Sequence, residues 1–433
     1  MRKISAPSIL MVLLCLLFFA SCGRDNEDAP SPEAEEPTAE YPVYAKPGLP
    51  EPEIPTPSEP TPENIIEVLD VLPTTELLTI TSFDGYSFYG RLNMPGCYRP
   101  VSKLVIYVHG SGANTYYNRL YLPGIGVVNY FDPWAEMFVA EGVAFFTYNV
   151  RGVSITDDWP YREIDIEAYR LYLPHNSVMD IYHMISALRE NSRLANAQVL
   201  LLGMSEGSII APLFVEKFPE MVDGLFLMGV PIDGMYDVIR WQTSGGPSMA
   251  WYRYHFEADD RGRISREAFY ADLHGVIDSI LGGSAFESID VNNDGYIDEQ
   301  DMVILIQDVV PHMTPAFADE MIAAIEREDD DWLAENYPVL LTSAWFREHI
   351  ALRSNYELLP DLYLPIYIFH GMLDQNVYVR RVYDMYARFA ELGQINLTIH
   401  TFSAHDHGLN IASMFYGELS DGRQAVINAI LDF

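Results

Sequence analysis

The sequence predicts an α/β fold: a doubly wound, mostly parallel sheet with an inserted α-helical unit. Short apolar runs at Leu104 to Val108, Val143 to Tyr148, Gln198 to Leu202, Leu225 to Val230, Leu364 to Phe369 and Leu397 to Phe402 alternate with helix-patterned stretches. That is the pattern of strands buried on both faces and joined by helical crossovers. One such stretch, Asn176 to Arg189, carries Val178, Ile181, Ile185 and Leu188 on a single face, the spacing of a helix that faces a core. Over a hundred residues separate Val230 from Leu364, more than a crossover needs, so a further unit is expected there. The divisions are then residues 1–21 (leader), 22–63 (tether), 64–233 (core, first part), 234–355 (insert) and 356–433 (core, second part).

In chain order, Arg2 and Lys3 precede an apolar stretch from Ile9 to Phe19 and the small residues Ala20-Ser21 before Cys22. This is the order of a secretory signal peptide, too short to span a bilayer. Ala20-Ser21-Cys22 resembles a bacterial lipobox, which implies cleavage before Cys22 and lipid attachment at that residue. With Cys15 lost and Cys22 acylated, Cys97 is the last of three cysteines, which excludes a disulfide in the mature chain. Several acyl chains on one cysteine satisfy the requirement that stable anchoring needs more than one. Residues 22–63 are rich in Pro, Glu, Ala and Thr and bury too little surface to fold. Proline keeps them extended, with a reach on the order of 100 Å. Asp25, Glu27 and Asp28 resemble signals that carry some lipoproteins to the outer surface. The expected location is therefore a bacterial membrane, the outer membrane above all, facing the periplasm or the exterior. The 62 acidic and 26 basic residues leave a net charge of −36. Nucleic acid is excluded as a partner, since phosphate contacts need a basic face.

In the first core part, the run ending at Val108 leads into His109-Gly110-Ser111-Gly112, whose glycines free the backbone to aim amides at a ligand. Further on, Gly203-Met204-Ser205-Glu206-Gly207 stands between the run Gln198 to Leu202 and a helix expected from Ser208 to Phe218. A serine hydroxyl is a poor nucleophile until the chain holds it beside a base, and flanking glycines permit the tight strand-to-helix turn that does so. G-x-S-x-G arises by chance roughly one time in ten in a chain this long, so its weight depends on whether an acid and a base stand downstream. After the run ending at Phe369 comes His370-Gly371-Met372-Leu373-Asp374, and after Phe402 comes Ser403-Ala404-His405-Asp406-His407-Gly408. Asp374 is the candidate acid and His407 the candidate base. His407 is preferred to His405 because Gly408 suits a sharp exit, and Asp233 remains a rival acid. The order serine, acid, histidine is the one this turn requires. The imidazole takes the Ser205 proton while the carboxylate fixes its tautomer.

These residues, with Arg151-Gly152, make the chain from Leu77 to Phe433 resemble the α/β-hydrolase superfamily. The resemblance implies the doubly wound sheet, and it implies an oxyanion site formed by the backbone amides of Ser111 and Glu206. Ser205-Glu206-Gly207 followed by Ile209-Ile210-Ala211-Pro212 is similar to esterases related to the prolyl-oligopeptidase and serine-aminopeptidase groups. The expected activity is hydrolysis of carboxylic esters of small molecules through an acyl-enzyme, without an organic cofactor. A prolyl-oligopeptidase-like serine peptidase and a catalytically silent, calcium-dependent binding protein stand as alternatives.

Within the insert, Asp290-Val291-Asn292-Asn293-Asp294-Gly295-Tyr296-Ile297-Asp298-Glu299-Gln300-Asp301 resembles an EF-hand loop. Its oxygens stand at the spacing a calcium ion takes: Asp290, Asn292, Asp294, the Tyr296 carbonyl, Asp298 and Asp301. Aspartate in place of glutamate at the last position implies weak affinity, about 10⁻⁴ to 10⁻³ M. A degenerate copy, Glu257 to Phe269, has Arg261 and Ala268 where two ligands belong and is expected to hold no ion. The insert is thus read as an EF-hand-like cap braced by one structural calcium. Tyr116, Tyr117, Trp241, Trp251, Tyr252 and Tyr254 are candidates for packing or for lining an apolar pocket.

Overall fold

The computed structural model describes residues 72–96, 100–122, 124–307 and 314–433. The leader, Cys22, the tether and Cys97 lie outside the described residues. The strands of the main sheet are β1 (Thr74–Thr81), β2 (Ser87–Met94), β3 (Lys103–Val108), β4 (Ala144–Tyr148), β5 (Gln198–Met204), β6 (Gly224–Met228), β7 (Ile366–Gly371) and β8 (Leu397–Phe402). Their spatial order is β1-β2-β4-β3-β5-β6-β7-β8. β1 and β2 pair antiparallel, as do β2 and β4, and each neighbouring pair from β4 to β8 is parallel.

The longer helices before β6 are α1 (Asp132–Ala140), α2 (Pro174–Leu188) and α3 (Gly207–Lys217). Between β6 and β7 lie α4 (Met235–Thr243), α5 (Gly246–His255), α6 (Arg266–Ala271), α7 (Glu299–Ile306), α8 (Pro315–Glu326), α9 (Asp330–Asn336) and α10 (Ser343–Ala351). The chain ends with α11 (Arg380–Glu391) before β8 and α12 (Asp421–Asp432) after it. The two-residue period of a strand sorts the core. Leu104, Ile106, Leu201 and Leu227 pack with α2, α3 and α11 on one face, while Val105, Tyr107, Leu202 and Phe226 pack with α1 and α12 on the other. Cover on both faces explains why these strands read as unbroken apolar runs. β1 is mostly exposed, and for that reason it left no such run in the sequence.

The stretch between β6 and β7 falls into two parts of different character. In the first, Met249, Tyr252, Phe256, Ile264, Phe269, Phe286 and Ile297 form a small core of their own. Ile264-Ser265 pairs antiparallel with Tyr296-Ile297, matching Ile264 to Ile297. Counted from Glu257 and Asp290, these are equivalent positions of the two loops. Gly262 and Gly295 both take left-handed backbone, at φ 78° and 91°, where a side chain is strained. In the second part, Met321, Ala324 and Ile325 of α8 and Trp345 and Phe346 of α10 belong to the main core. Arg253 pairs with Glu299 inside the small lobe at 2.5 Å and links the lobe to the rest by lying 5.3 Å above the Tyr378 ring. Tyr378 in turn stacks on Trp241. Among the described residues no helix is long and apolar enough to cross a membrane.

Arg151, at the end of β4, has 2% of its surface exposed. Its guanidinium makes two 2.7 Å hydrogen bonds to Asp180 on α2 and one of 2.6 Å to Asp84 in the β1–β2 turn. Burial pushes the Asp180 carboxyl above its ordinary pKa despite this pairing. Arg151→Met, which leaves Asp180 buried without its cation, is expected to cost about 3–5 kcal/mol in urea-unfolding measurements.

Candidate active site

Ser205 ends the apolar strand β5 on a left-handed turn, at φ 55°. That conformation costs a non-glycine residue roughly 1–3 kcal/mol and persists only where the surroundings enforce it. They do so by close packing. A Cβ placed on Gly207 would lie 2.0 Å from the Val108 carbonyl oxygen, and one on Gly203 would lie 2.5 Å from that of Gly207. Both positions therefore require glycine. The Ser205 amide leaves its own strand and donates to the Met228 carbonyl at the end of β6, at 3.0 Å.

The loop after β3 is tied down on the other side of the serine. His109 Nε2 lies 2.7 Å from the Tyr148 carbonyl, and Asn114 Nδ2 donates to the carbonyls of Gly110 and Gly112. Burial pushes the His109 pKa down to about 4, so the ring is neutral and its Nε2–H donates. A Cβ on Gly110 would lie 3.3 Å from that of Ser205, so Ser111 stands one residue from this contact. Glu206 directly follows the serine. Neither the Ser111 nor the Glu206 amide donates to a loop or turn carbonyl of the described residues.

Asp374 and His407 meet behind the ends of β7 and β8. His407 Nδ1 donates to Asp374 Oδ2 at 2.8 Å, and Asp374 Oδ1 accepts the amides of Asn376 and Val377 at 2.8 and 2.9 Å. Burial works against both charged forms, yet the pairing prevails: His407 is held above its ordinary 6.5 and Asp374 below its ordinary 3.8. The His407 ring lies against Gly229, where a Cβ would come within 2.6 Å. Gly229 follows Met228, the acceptor of the Ser205 amide, so serine and imidazole converge on the same end of β6.

The two other candidates are engaged elsewhere. His405 Nδ1 donates to the Ser403 carbonyl at 2.7 Å, and its Nε2 accepts the Gly422 amide at the start of α12. Asp233 takes a bidentate contact from Arg381 at 2.7 to 2.9 Å. Sequence reasoning missed His370, whose fully buried Nε2 lies 3.2 Å from Asp374 Oδ2. Its position in the strand end His370-Gly371 was the available signal. The aromatic residues separate: Tyr252 belongs to the core of the small lobe. Trp241 lines a cleft of about 50 Å³ with Ile232, Val238, Val377 and Tyr378, and Asp233, Asp237 and Arg381 add charge to its wall.

The loop Asp290–Asp301 is wound by its own oxygens. Asp290 accepts the amides of Asp294 and Gly295, Asn292 that of Asp294, Asp294 that of Tyr296 and Asp298 that of Gln300. Asp301, wholly buried, accepts the amides of Val291, Asn292 and Asp298. Among the described residues no three His, Cys, Asp or Glu side chains stand together as a metal-binding group. In the degenerate loop Arg263 pairs with Asp259 at 2.8 Å and lies 3.7 Å from the centre of the Tyr296 ring. A guanidinium thus neutralises the one loop internally.

Residues 103–276, from β3 through the serine turn, match the family described as alpha/beta hydrolase fold. With the strand order above, the fold is the α/β-hydrolase fold. Similar solved structures include a thermostable carboxyl esterase from Bacillus coagulans, with 14% identity over 83% of this chain and 99% of that one and a TM-score of 0.46. An esterase from Exiguobacterium antarcticum has 16% identity over 82% and 98%, with a TM-score of 0.41. The Pyrococcus horikoshii acylaminoacyl peptidase has 12% identity over 85% of this chain and 42% of that one, with a TM-score of 0.44. No protein of curated function matches by sequence.

The charge balance of the buried pair is directly measurable. In an imidazole NMR titration His407 is expected to ionise above 6.5 in the wild type. In Asp374→Asn, where burial, the largest influence, is opposed only by the charge of Asp406, it is expected to ionise below that value. An unshifted midpoint in the variant would contradict this account of the pair.

Proposed function

We propose that this α/β-hydrolase-fold chain is a serine hydrolase, and that its substrates are carboxylic esters outside the cytoplasm. One observation carries the reading. The left-handed serine and the carboxylate-bound imidazole converge on Met228 and Gly229 at the end of β6. In the reaction, Ser205 Oγ bonds to the ester carbonyl carbon while its proton passes to His407 Nε2. The carbonyl oxygen becomes an oxyanion facing the amides of Ser111 and Glu206; one such donor is worth about 2.7–4 kcal/mol in the transition state. Collapse breaks the bond to the alcohol oxygen, which takes the proton from His407 and leaves. Water then repeats the sequence on the acyl-enzyme, with His407 again as base. Asp374 stays ionised throughout and holds Nδ1–H, so that Nε2 carries the free lone pair. Esters are favoured over amides on the likeness of Ser205 to Pro212 to esterase sequences.

The lobe of α5 to α7 is assigned a structural calcium ion in the Asp290 loop. The donor set fits a hard cation because it is all oxygen, and the paired strand and left-handed Gly295 support the same reading. Asp290, Asn292, Asp294, the Tyr296 carbonyl and Asp298 would hold the ion. Asp301 would complete the set at the closing position, and its contacts to three amides, like those of Asp290 to two, hold the loop in shape. Burial, with neighbouring carboxylates, pushes the pKa of Asp298 and Asp301 up, a repulsion that a bound cation relieves. Attachment of the chain to a membrane through Cys22 completes the proposal.

A fluorophosphonate probe is expected to label the wild type and not Ser205→Ala, with p-nitrophenyl esters cleaved faster than the matching anilides. No labelling of the wild type would sink the enzyme reading. Asp374→Asn is expected to lower kcat on the order of 10⁴-fold with the fold retained. Calcium at a hundred times Kd is expected to stabilise the lobe by about 2.7 kcal/mol, read as a raised Tm that chelator reverses. Asp290→Ala should abolish that response, and a Tm indifferent to calcium and chelator in the wild type would refute the ion.

A further inference from the structure

Glu206 presents an unusual demand, because a carboxylate beside the nucleophile has been taken out of water. The residue is 2% exposed, and a buried charge is tolerated only where it is fully hydrogen-bonded. Its partners come from two distant segments. Tyr172, just before α2, donates its hydroxyl to Oε2 at 2.7 Å, and Trp345 on α10 donates Nε1–H to Oε1 at 3.0 Å. His349, one helical turn on, brings Nε2 to 3.2 Å from the same Oε1. His349 Nδ1 faces the Trp345 carbonyl at 2.9 Å, which can only accept, so Nδ1 carries a hydrogen. His349 Nε2 makes no hydrogen bond in this arrangement, so the direct donors to the Glu206 carboxylate are Tyr172 and Trp345. Nearby, Asn355 Nδ2 donates to the carbonyls of Ser208 and Pro231 at 3.0 and 2.8 Å. The first turn of α3 is therefore gripped by residues that come after the small lobe in the chain.

We propose that the Glu206 side chain is a positioning residue for the oxyanion site, held in place by Trp345 of the insert and by Tyr172. The residue whose amide would face the oxyanion has its side chain clamped by two buried donors, so the amide cannot swing with the turn. The insert is on this account part of the catalytic machinery as well as a carrier of the small lobe. This rests on the serine-hydrolase reading, and it adds a role for α10 that does not depend on calcium.

The test compares Glu206→Gln, Trp345→Phe and Tyr172→Phe with Phe138→Leu, a buried change on α1 in the core of the other sheet face. Glu206→Gln and Trp345→Phe are expected to lower kcat about a hundredfold with KM unchanged, the scale of a catalytic group misplaced by an ångström. They should also weaken phenylboronic acid by a similar factor, since its adduct with Ser205 places an oxygen in the oxyanion position. Phe138→Leu should lower Tm while leaving kcat and boronate affinity at wild-type values. If Glu206→Gln does not fold, Trp345→Phe and Tyr172→Phe each remove a single donor and give the same readout. Variants that lose Tm like Phe138→Leu but keep kcat and boronate affinity would overturn the proposal and reduce Glu206 to a packing element. Fluorophosphonate labelling of the wild type separates the two levels: labelled wild type with unaffected variants rejects only the clamp, whereas unlabelled wild type rejects both.

Discussion

Everything at the candidate site depends on one close approach, that of the Gly207 backbone to the carbonyl of Val108. No side chain fits between them, so the ends of β3 and β5 can come together only as glycine allows. That contact drives Ser205 into a left-handed conformation, places it beside Gly110, and leaves its amide to be satisfied by β6. The strain is held by the parallel strands on either side, which are buried and cannot relax independently.

Around this turn the protein buries charge in three places, and each is compensated differently. Arg151 faces two carboxylates and acts as a cross-link between α2 and the β1–β2 turn. Asp374 is compensated by two amides and the His407 imidazole. Glu206 has two uncharged donors, Tyr172 and Trp345, with the His349 ring 3.2 Å away. Since each desolvated carboxylate is costly if a partner is lost, the network around the serine is rigid by necessity. Rigidity of this kind is what a preorganised oxyanion site needs.

The region between β6 and β7 joins two solutions to the same packing problem. The small lobe buries its own apolar residues and touches the rest through few links, Arg253 and Tyr378 among them. Helices α8 to α10 instead lend their apolar faces to the main core. A single expected unit over residues 234–355 thus resolves into a satellite and an integral part, because only the second has side chains that fit the face of the sheet.

Local pattern made much of this readable. The core strands were legible because burial on both faces writes unbroken apolar runs. The serine turn was legible because glycines mark backbone that no other residue can adopt, and the paired loops because oxygen spacing is a local property. The features that stayed hidden were set by partners far away in the chain. Gly408 favours His407 over His405 locally, but what occupies His405 is the N-terminus of α12, a distant segment. Nothing near Glu206 announces Trp345, 139 residues further on. The sequence by itself determined which segments become strands, turns and loops, since those arise from local periodicity and backbone sterics. The tertiary structure alone decided which polar groups are paired, since a buried hydrogen bond depends on where distant segments bring their donors.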